Sequence, residues 1–373
     1  ASIIFNDDGS INKYEIVEAK IKVKGVKYAP YEVCNKFSIY GGKWENQFGF
    51  ESFSTDLTEW EQADKFGMEY LWDENYSGKV RENFYLDDKI VMVTTDRVSA
   101  FDHILGTIPF KGEILTQIAK FWFEKTKHIA PNHYIDDPDP QVLLTKRAKT
   151  LPIEIIVRGY ITGSLWRDYE KGINDQYGFK IPEGMTKNQK FDTPILTPTT
   201  KADYGEHDEP ISKEEIVAGL VDKDIYEKAE KYAMELFAEG QKWAQERGLI
   251  LVDTKYEFGM IDGELNVIDE IHTPDSSRYW MAEEYQERYE NGENQLMLDK
   301  ENIRQWLIEK GFSGEGTPPE LSEDIRVLLS EKYMELYKVL IGDDYNPSLG
   351  DVNTRIINNL TEEGLLKENV NEG

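Results

Sequence analysis

The chain has 373 residues, 39% hydrophobic and 12% aromatic, which supports a large core, exceeds one ordinary domain and points to two packed lobes with a cleft. A formal net charge of −28 argues against nucleic acid or an anionic membrane as partner, so any anionic ligand must be met by basic residues that converge locally. The single cysteine, Cys34, excludes an internal disulfide; with no run as long as a membrane span and no basic-then-apolar leader in ASIIFNDDGS, a soluble, cytoplasmic protein is expected.

Residues 1–75 carry no catalytic spacing and read as an added subdomain of unassigned role. Residues 16–31 alternate Lys with Ile, Val and Ala, as in one or two half-exposed strands broken at Gly25, and FGFESFSTDLTEW suggests a helix starting at Asp56 or Thr58. From Tyr76 onward, YSGKVRENFYL and DDKIVMV predict two strands around a turn at Asp87-Asp88, the second over residues 90–93. Gly78 permits close backbone approach to a ligand, and Lys79 and Arg81 flank it with the charge that holds phosphates; an ordinary exposed hairpin would look the same. TDRVSAFD then sets Asp96, Arg97, Ser99 and Asp102 behind a buried strand, where polar groups commonly line a cleft.

After Lys111-Gly112, Ile114, Ile118, Phe121 and Trp122 recur at helical spacing, predicting a core-facing helix whose N-terminus is an anion site. HIAPNHYIDDPDP reads as loop, with His128 and His133 at the surface and without the paired spacing of metal ligands. Two strands follow, over residues 142–144 and 153–157, joined by a connector whose Lys146, Arg147 and Lys149 can run past a flat ligand. Glu154 interrupts the second strand, so it either faces water or receives a donor such as an amino group. Arg158 at that strand's end, with Gly163-Ser164 opening a helix that carries Leu165, Trp166 and Tyr169, suits a carboxylate or phosphate; a helix cap with a rim salt bridge is the alternative. PILTPTTKADYGEHDEPIS reads as loop, offering Lys201, His207 and Asp208. Ser212 and Glu215 form a capping box, and a long helix from about Asp222 to Arg247, stopped by Gly248, turns Tyr226, Ala229, Ala233, Leu236, Phe237 and Trp243 to the core.

Residues 249–280 organise the rest. They read as a strand over 249–252, a polar stretch rising to Glu257, a turn at Asp262-Gly263 and a strand over 265–268 that ends in Asp269-Glu270. Asp253, Glu257, Asp269 and Glu270 stand where strands carry apolar or neutral residues. Carboxylates forced together need a cation, and Mg²⁺ fits, being held by one or two carboxylates with water and substrate phosphates. A two-residue turn would set Glu257 opposite Ile268 and point it away from Asp269, whereas a three-residue loop over 262–264 sets Glu257 opposite Asp269; the longer loop or a bulge is expected. A solvated hairpin edge, its charges blocking mispairing, is the alternative. TPDSSRYW then supplies Asp275, Ser276, Ser277 and Arg278 in a loop before a helix. Thr317 with Glu320 suggests a second capping box, and Leu321, Ile325, Leu328, Leu329, Leu336 and Leu340 a closing helix. Residues 281–373 hold 21 acidic and 9 basic side chains, read as a solvated surface; from Asp343 the chain is polar and expected to fray at its end.

Taken in order, GKVRENFYL, TDRVSAFD, KGEILTQ, LPIEIIVRGYITGS, PTTKADYGEHDEPIS, LVDTKYEFG and DEIHTPDSSRYW resemble the phosphoribosylaminoimidazole-succinocarboxamide synthase (SAICAR synthetase) family over roughly residues 76–341. Residues 1–75 and the stretch after the closing helix depart from the family pattern. The resemblance implies an α+β, two-lobed fold, with an antiparallel-sheet N-terminal lobe and a larger α/β lobe around an ATP cleft. It divides the chain into an N-terminal extension (1–75), a nucleotide-binding sheet lobe (76–150), an ATP and substrate lobe with closing helices (151–341) and a polar C-terminal tail (342–373).

The activity it implies is a carbon–nitrogen ligase of purine biosynthesis. ATP activates the carboxylate of CAIR, the carboxyaminoimidazole ribotide, as an acyl phosphate, and L-aspartate displaces phosphate to give SAICAR. Carried over by motif, Gly78, Lys79 and Arg81 belong to a phosphate-covering loop, Glu154 lies near adenine, and Glu257 and Asp269 hold Mg²⁺. Lys201, Asp253 and Lys255 lie near the transferred phosphoryl group. Asp96, Ser99, Lys111, Arg158, Ser164, Asp275, Ser277 and Arg278 serve CAIR or aspartate. Asp253 or a second carboxylate is the expected acceptor of the amine's proton. Two readings of other classes are a small-molecule kinase sharing the lobes and metal pair, and a nucleotide-binding regulatory protein without catalysis.

Overall fold

The computed structural model describes residues 2–5, 11–15, 68–70, 74–101, 103–201, 208–342 and 345–368. The strands expected over 16–31, the helix start at Asp56 or Thr58, Asp102 and His207 lie outside the described residues. Numbering strands in chain order, β1 (Ser2–Phe5) and β2 (Ile11–Glu15) form one ribbon, and β3 (Met68–Tyr70) pairs with the last strand, β17 (Leu366–Glu368).

Two antiparallel sheets carry the fold, which is α+β. The first joins β4 (Glu74–Ser77), β5 (Arg81–Tyr85), β6 (Lys89–Thr94), β9 (Tyr134–Asp139) and β10 (Val142–Lys146) in the order β4-β5-β6-β10-β9. The turn at Asp87-Asp88 is present, with Leu86 N–H donating to Lys89 O at 2.9 Å. A small hairpin, β7 (Arg97–Ala100) with β8 (His103–Thr107), follows. The second sheet runs β12 (Lys190–Leu196), β11 (Lys149–Tyr160), β14 (Leu249–Ile261), β15 (Glu264–Ile268), with β13 (Thr199–Thr200) on β11 and β16 (Ser277–Met281) on β14.

The helices are α1 (Lys111–Thr126), α2 (Gly163–Glu170), α3 (Lys223–Gln245), α4 (Ala282–Glu290), α5 (Glu301–Glu309), α6 (Glu323–Ile341) and α7 (Val352–Glu362). In α3, Asp222 caps the first turn by accepting from Asp224 and Ile225 N–H, and Gly248 takes φ +72° just past its end. Its Tyr226, Ala229, Ala233, Leu236 and Phe237 are buried in one core with Ile114, Ile118 and Trp122 of α1, Leu336 and Leu340 of α6, and Tyr256 and Phe258 of β14. Each such large apolar side chain contributes roughly 1.5–3 kcal/mol on burial. The two sheets meet beside this core, where His133 N–H donates to Val267 O (3.1 Å) and Val267 N–H to Pro131 O (2.9 Å). The Ser212–Glu215 capping box is formed, opening a short α-turn that continues as a π-helix over Ile216–Leu220.

Several expectations change. HIAPNHYIDDPDP and PILTP, expected as loop, form strands in part: β9 and β12 contain Pro138 and Pro194. Both are sheet edges, where a proline's missing N–H costs no ladder bond. The segment TPDSSRYW is not all loop: from Ser277 it forms β16. Glu320 reaches no capping box, because α6 starts only at Glu323 after Ser322. The expected polar stretch after 252 is part of one continuous 13-residue strand, β14, and the tail beyond Asp343 folds as α7 and β17. Finally, His133 is buried with 2% exposure, and burial together with nearby Arg81 pushes its pKa down to about 3, so it is a neutral core histidine.

Candidate active site

Strand alternation builds the site. Asp253, Lys255 and Glu257 occupy every second position of β14 and share one face, while Tyr256 and Phe258 enter the core behind it. On the neighbouring β11, Glu154 stands directly opposite Glu257, Ile156 opposite Lys255 and Arg158 opposite Asp253. Two carboxylates facing each other across strands repel. Lys255 resolves the conflict, its Nζ lying 2.8 Å from Glu154 Oε1, 2.6 Å from Glu257 Oε1 and 4.0 Å from Asp269 Oδ2. Lys201 pairs with the other Glu257 oxygen.

The β14–β15 turn is the two-residue one, contrary to expectation. Ile261 pairs with Glu264 and Glu257 with Ile268, and Asp262 (φ +50°) and Gly263 (φ +80°) both take the left-handed conformations of a tight hairpin. Glu257 and Asp269 nonetheless converge, for a reason the register does not contain. β15 ends at Ile268, and Asp269 adopts φ +66°, which redirects the chain and brings its carboxylate to Lys255. A non-glycine residue in this conformation carries about 1–3 kcal/mol of strain. Arg81 holds the turn in place, bonding Asp269 Oδ1 at 2.6 Å and Glu270 Oε2 at 2.7 Å. Arg81 thus points inward, while exposed Lys79 and half-buried Gly78 form the loop above it. Arg97 stiffens that loop by donating to Gly78 O (2.8 Å) and Lys79 O (3.0 Å).

Around Lys255 there are thus three cations, Lys201, Lys255 and Arg81, and four carboxylates, Glu154, Glu257, Asp269 and Glu270. Burial, with Glu257 nearby and Lys255 opposing, raises Glu154 to about 7; burial, Glu257 and Glu270 raise Asp269 to about 6 against Arg81. Burial acts the same way on Glu257, but Lys255 and Lys201 outweigh it and hold that carboxyl well below its usual range. Four carboxylates against three cations leave an excess of acid that a divalent cation relieves. Among the described residues no group of three or more Asp, Glu, His or Cys is placed to hold a metal ion by itself. Hard oxygen donors in a pair, Glu257 and Asp269, match the partial protein ligation that Mg²⁺ accepts.

A second group is cationic. Arg158 donates from Nε to Thr197 Oγ1 (2.8 Å), from Nη1 to Asp253 Oδ2 (3.1 Å) and from Nη2 to the exposed Ser164 Oγ (3.4 Å). Arg278, opposite Asp253 on β16, bonds the same Oδ2. Two guanidiniums therefore share one carboxylate at the N-terminus of α2. Gly163 takes φ +59°, and a Cβ there would lie 2.4 Å from Arg278 Nη2. Beyond Arg278 opens a cavity of about 380 Å³ bordered by Gly163, Trp166, Lys187, Trp280 and Gln305.

A third group surrounds Asp275. Fully buried Lys111 donates to Asp275 Oδ2 at 2.8 Å, Lys300 Nζ lies 3.5 Å from the same oxygen, and Tyr333 OH donates to Oδ1 at 2.7 Å. Lys300 also donates to Ser99 Oγ (3.4 Å). Burial, reinforced by Lys111 and Arg304, lowers Lys300 to about 8, while the two lysines hold Asp275 well below the carboxylate range. Asp96 is drawn into the same region, its Oδ1 accepting from Gly112 N–H at 2.8 Å, so the α1 N-terminus already has a carboxylate on it. Burial raises Asp96 to about 6 against that bond.

Most candidates fall into these three groups. Ser277 does not: its hydroxyl meets Thr254 Oγ1 at 2.7 Å, and both stand on alternate positions to Asp253 and Lys255. Lys300 and Tyr333 join this site without a motif that marks them in the sequence, and Glu270 adds a bond to Arg81. Lys300 was hidden in a stretch read by its net acidity and Tyr333 in an apolar helical stripe. A lysine following three apolar residues and an aspartate, LMLDK, is the one local signal for Lys300.

A sequence model of SAICAR synthetase matches residues 74–319. The phosphoribosylaminoimidazole-succinocarboxamide synthase of Bacteroides fragilis is 51% identical over 275 residues, covering 72% of this chain and 88% of that protein. Among solved structures, SAICAR synthase from Saccharomyces cerevisiae complexed with SAICAR aligns with a TM-score of 0.64 and 33% identity over 73% of this chain and 95% of that one. A type-2 SAICAR synthetase in complex with ADP shares the fold at a TM-score of 0.57, with 24% identity over 74% of this chain and 100% of that one.

Proposed function

The chain belongs to the SAICAR synthetase family, and we propose that its three charge groups divide the substrates of that family's reaction between them. The reaction is ATP-dependent ligation of L-aspartate to the carboxylate of CAIR, giving SAICAR, ADP and phosphate. In this reading residues 76–150 form the phosphate-covering sheet lobe and residues 151–341 the ATP and substrate lobe. Gly78 and Lys79 cover the phosphates, with Arg81 orienting Asp269 beneath them. Glu257 and Asp269 hold Mg²⁺, which when bound neutralises phosphate charge and withdraws electrons from the transferred phosphorus. Lys201 and Lys255 stabilise charge on the phosphoryl oxygens, and Glu154 accepts from the adenine amino group.

The guanidinium pair suits the phosphate-bearing ribotide. Arg158 and Arg278 offer planar forks, Ser164 a hydroxyl, and the α2 N-terminus its N–H groups, the usual equipment for a phosphate. Ammonium groups at Asp275 suit the carboxylates of aspartate, with Lys111, Lys300 and Ser99 as donors. The amine attacks the acyl carbon, the C–N bond forming as the bond to the phosphate oxygen breaks. Asp253 takes the amine's proton, its Oδ2 already engaged by Arg158 and Arg278.

One observation carries this reading: a single strand face presents Asp253, Lys255 and Glu257 in a row, with an acid-rich group at one end and a guanidinium pair at the other. Few other side chains are needed, because phosphoryl transfer is mainly positioning and charge neutralisation. Steady-state kinetics of E257Q, R278M and D275N test the division. KM should rise chiefly for MgATP, CAIR and L-aspartate respectively; equal rises for all three substrates in every variant would overturn it.

A further inference from the structure

The match to the family's sequence model ends at residue 319, and α7 lies beyond it and reaches back to the start of α1. Its apolar side, Ile356 and Leu360, packs with Leu366 on Phe84, Val91, Val93 and Val142 of the first sheet. Its polar side delivers one arginine. Arg355 grips buried Asp139 with two bonds, Nε to Oδ2 at 2.9 Å and Nη2 to Oδ1 at 3.1 Å, and Asn359 adds a third at 2.8 Å. From Nη2 it also donates to Gln141 Oε1 (2.8 Å), from Nη1 to Ser348 O (3.2 Å), and Nη1 lies 3.6 Å from Glu113 Oε2 on α1.

Gln141 passes this grip onward. Its Nε2 donates to Thr94 O at 3.1 Å and its carbonyl accepts Thr94 N–H at 2.9 Å, fixing the end of β6. The start of α1 is pressed against that point: a Cβ on Gly112 would lie 2.2 Å from Thr94 O and 2.4 Å from Gln141 Nε2. Two residues past Thr94, Asp96 caps Gly112 N–H, and the residue before Gly112 is Lys111, which reaches Asp275. Ser348 binds Glu113 from the other side, N–H to Oε1 at 3.3 Å and hydroxyl at 3.1 Å. A bidentate arginine with a planar fork holds such a junction more narrowly than a lysine does.

We propose that Arg355 is a positioning residue of the C-terminal segment, setting the start of α1 so that Lys111 and Asp96 are held in the substrate region. The inference rests on the reading of Lys111 and Asp275 as part of that region. The network is indirect, so its loss should misplace a binding group and leave the phosphoryl-transfer residues of β14 intact.

The test compares R355M, R355K and I356A in the full chain, by KM for each substrate and by thermal unfolding. For R355M, KM for L-aspartate should rise roughly tenfold, less than the roughly hundredfold that a full 1 Å misplacement can cost, with KM for ATP unchanged. R355K should recover part of that rise. I356A loosens the same helix from its apolar side and should lower the melting temperature with no change in KM. If R355M fails to fold, N359A carries the test, with a smaller rise in the same KM. A rise in KM for CAIR instead of aspartate keeps the positioning role and overturns the aspartate reading of the Asp275 group. Unchanged KM values in the Arg355 and Asn359 variants, or equal rises in I356A, would overturn the positioning role itself.

Discussion

Replacing Lys255 with Met removes the one ammonium that separates Glu154, Glu257 and Asp269. Nζ sits 2.8 and 2.6 Å from the two glutamates, and at an effective dielectric near 20 each such pair is worth about 6 kcal/mol before desolvation is counted. Deleting one partner of a buried pair usually costs about 3–5 kcal/mol. Lys255 keeps 30% of its side chain exposed, which places the expected loss near the lower figure. It should also depend on pH, with a sign that follows from Glu154. That carboxyl is already raised to about 7, and Lys255 is the main group opposing the rise. Without Lys255 the folded-state pKa climbs further, and a carboxyl raised in the folded state loses stability as pH increases. The gap between wild type and K255M should therefore be on the order of 1 kcal/mol at pH 6 and about 3 kcal/mol at pH 8.5. Urea unfolding at both values measures it, and E154Q/K255M should recover much of the loss at the higher pH. A gap that is constant across this range, or a double variant no better than K255M, would refute the reasoning.

Three further outcomes are expected. Asp96 is raised to about 6 from an ordinary value of 3.8, so its contribution to stability falls as pH rises between those values; D96N should gain on wild type by about 2–3 kcal/mol between pH 4 and 7, read by denaturant titration. G163A, which drives a Cβ against Arg278, should raise KM for CAIR more than tenfold at little cost in KM for ATP, since displaced binding groups lose roughly that much. Y333F removes one hydrogen bond to Asp275 and should raise KM for L-aspartate several-fold, the worth of about 1 kcal/mol, with the melting temperature nearly unchanged.

Much of this was legible before the structure. The stripe of α3 and the Ser212–Glu215 box rest on local chemistry, and both formed; a turn at Asp262-Gly263 formed too, but as the two-residue turn and not the longer loop expected. Glu257 and Asp269 approach a common lysine although the expected register does not form, because the convergence comes from a positive φ at Asp269 that no pattern of apolar residues encodes. Edge strands β9 and β12 were missed since an edge tolerates Pro and charge that a central strand rejects. For Lys300 the short run LMLDK does not tell which carboxylate it meets; Tyr333 joins Asp275 from a distant segment, and such long-range convergence leaves no mark in local spacing. The same holds for Arg355, whose partners Glu113, Asp139 and Gln141 lie more than two hundred positions away in the chain.

The measurement that bears most directly on the central claim is ADP release from ATP and Mg²⁺ by the purified protein, with CAIR present and with or without L-aspartate. The ligase account predicts sustained release only when both are supplied, with one SAICAR formed for each ADP. Release with CAIR alone that continues through many turnovers, or release needing neither substrate, would contradict it and favour a kinase of related fold.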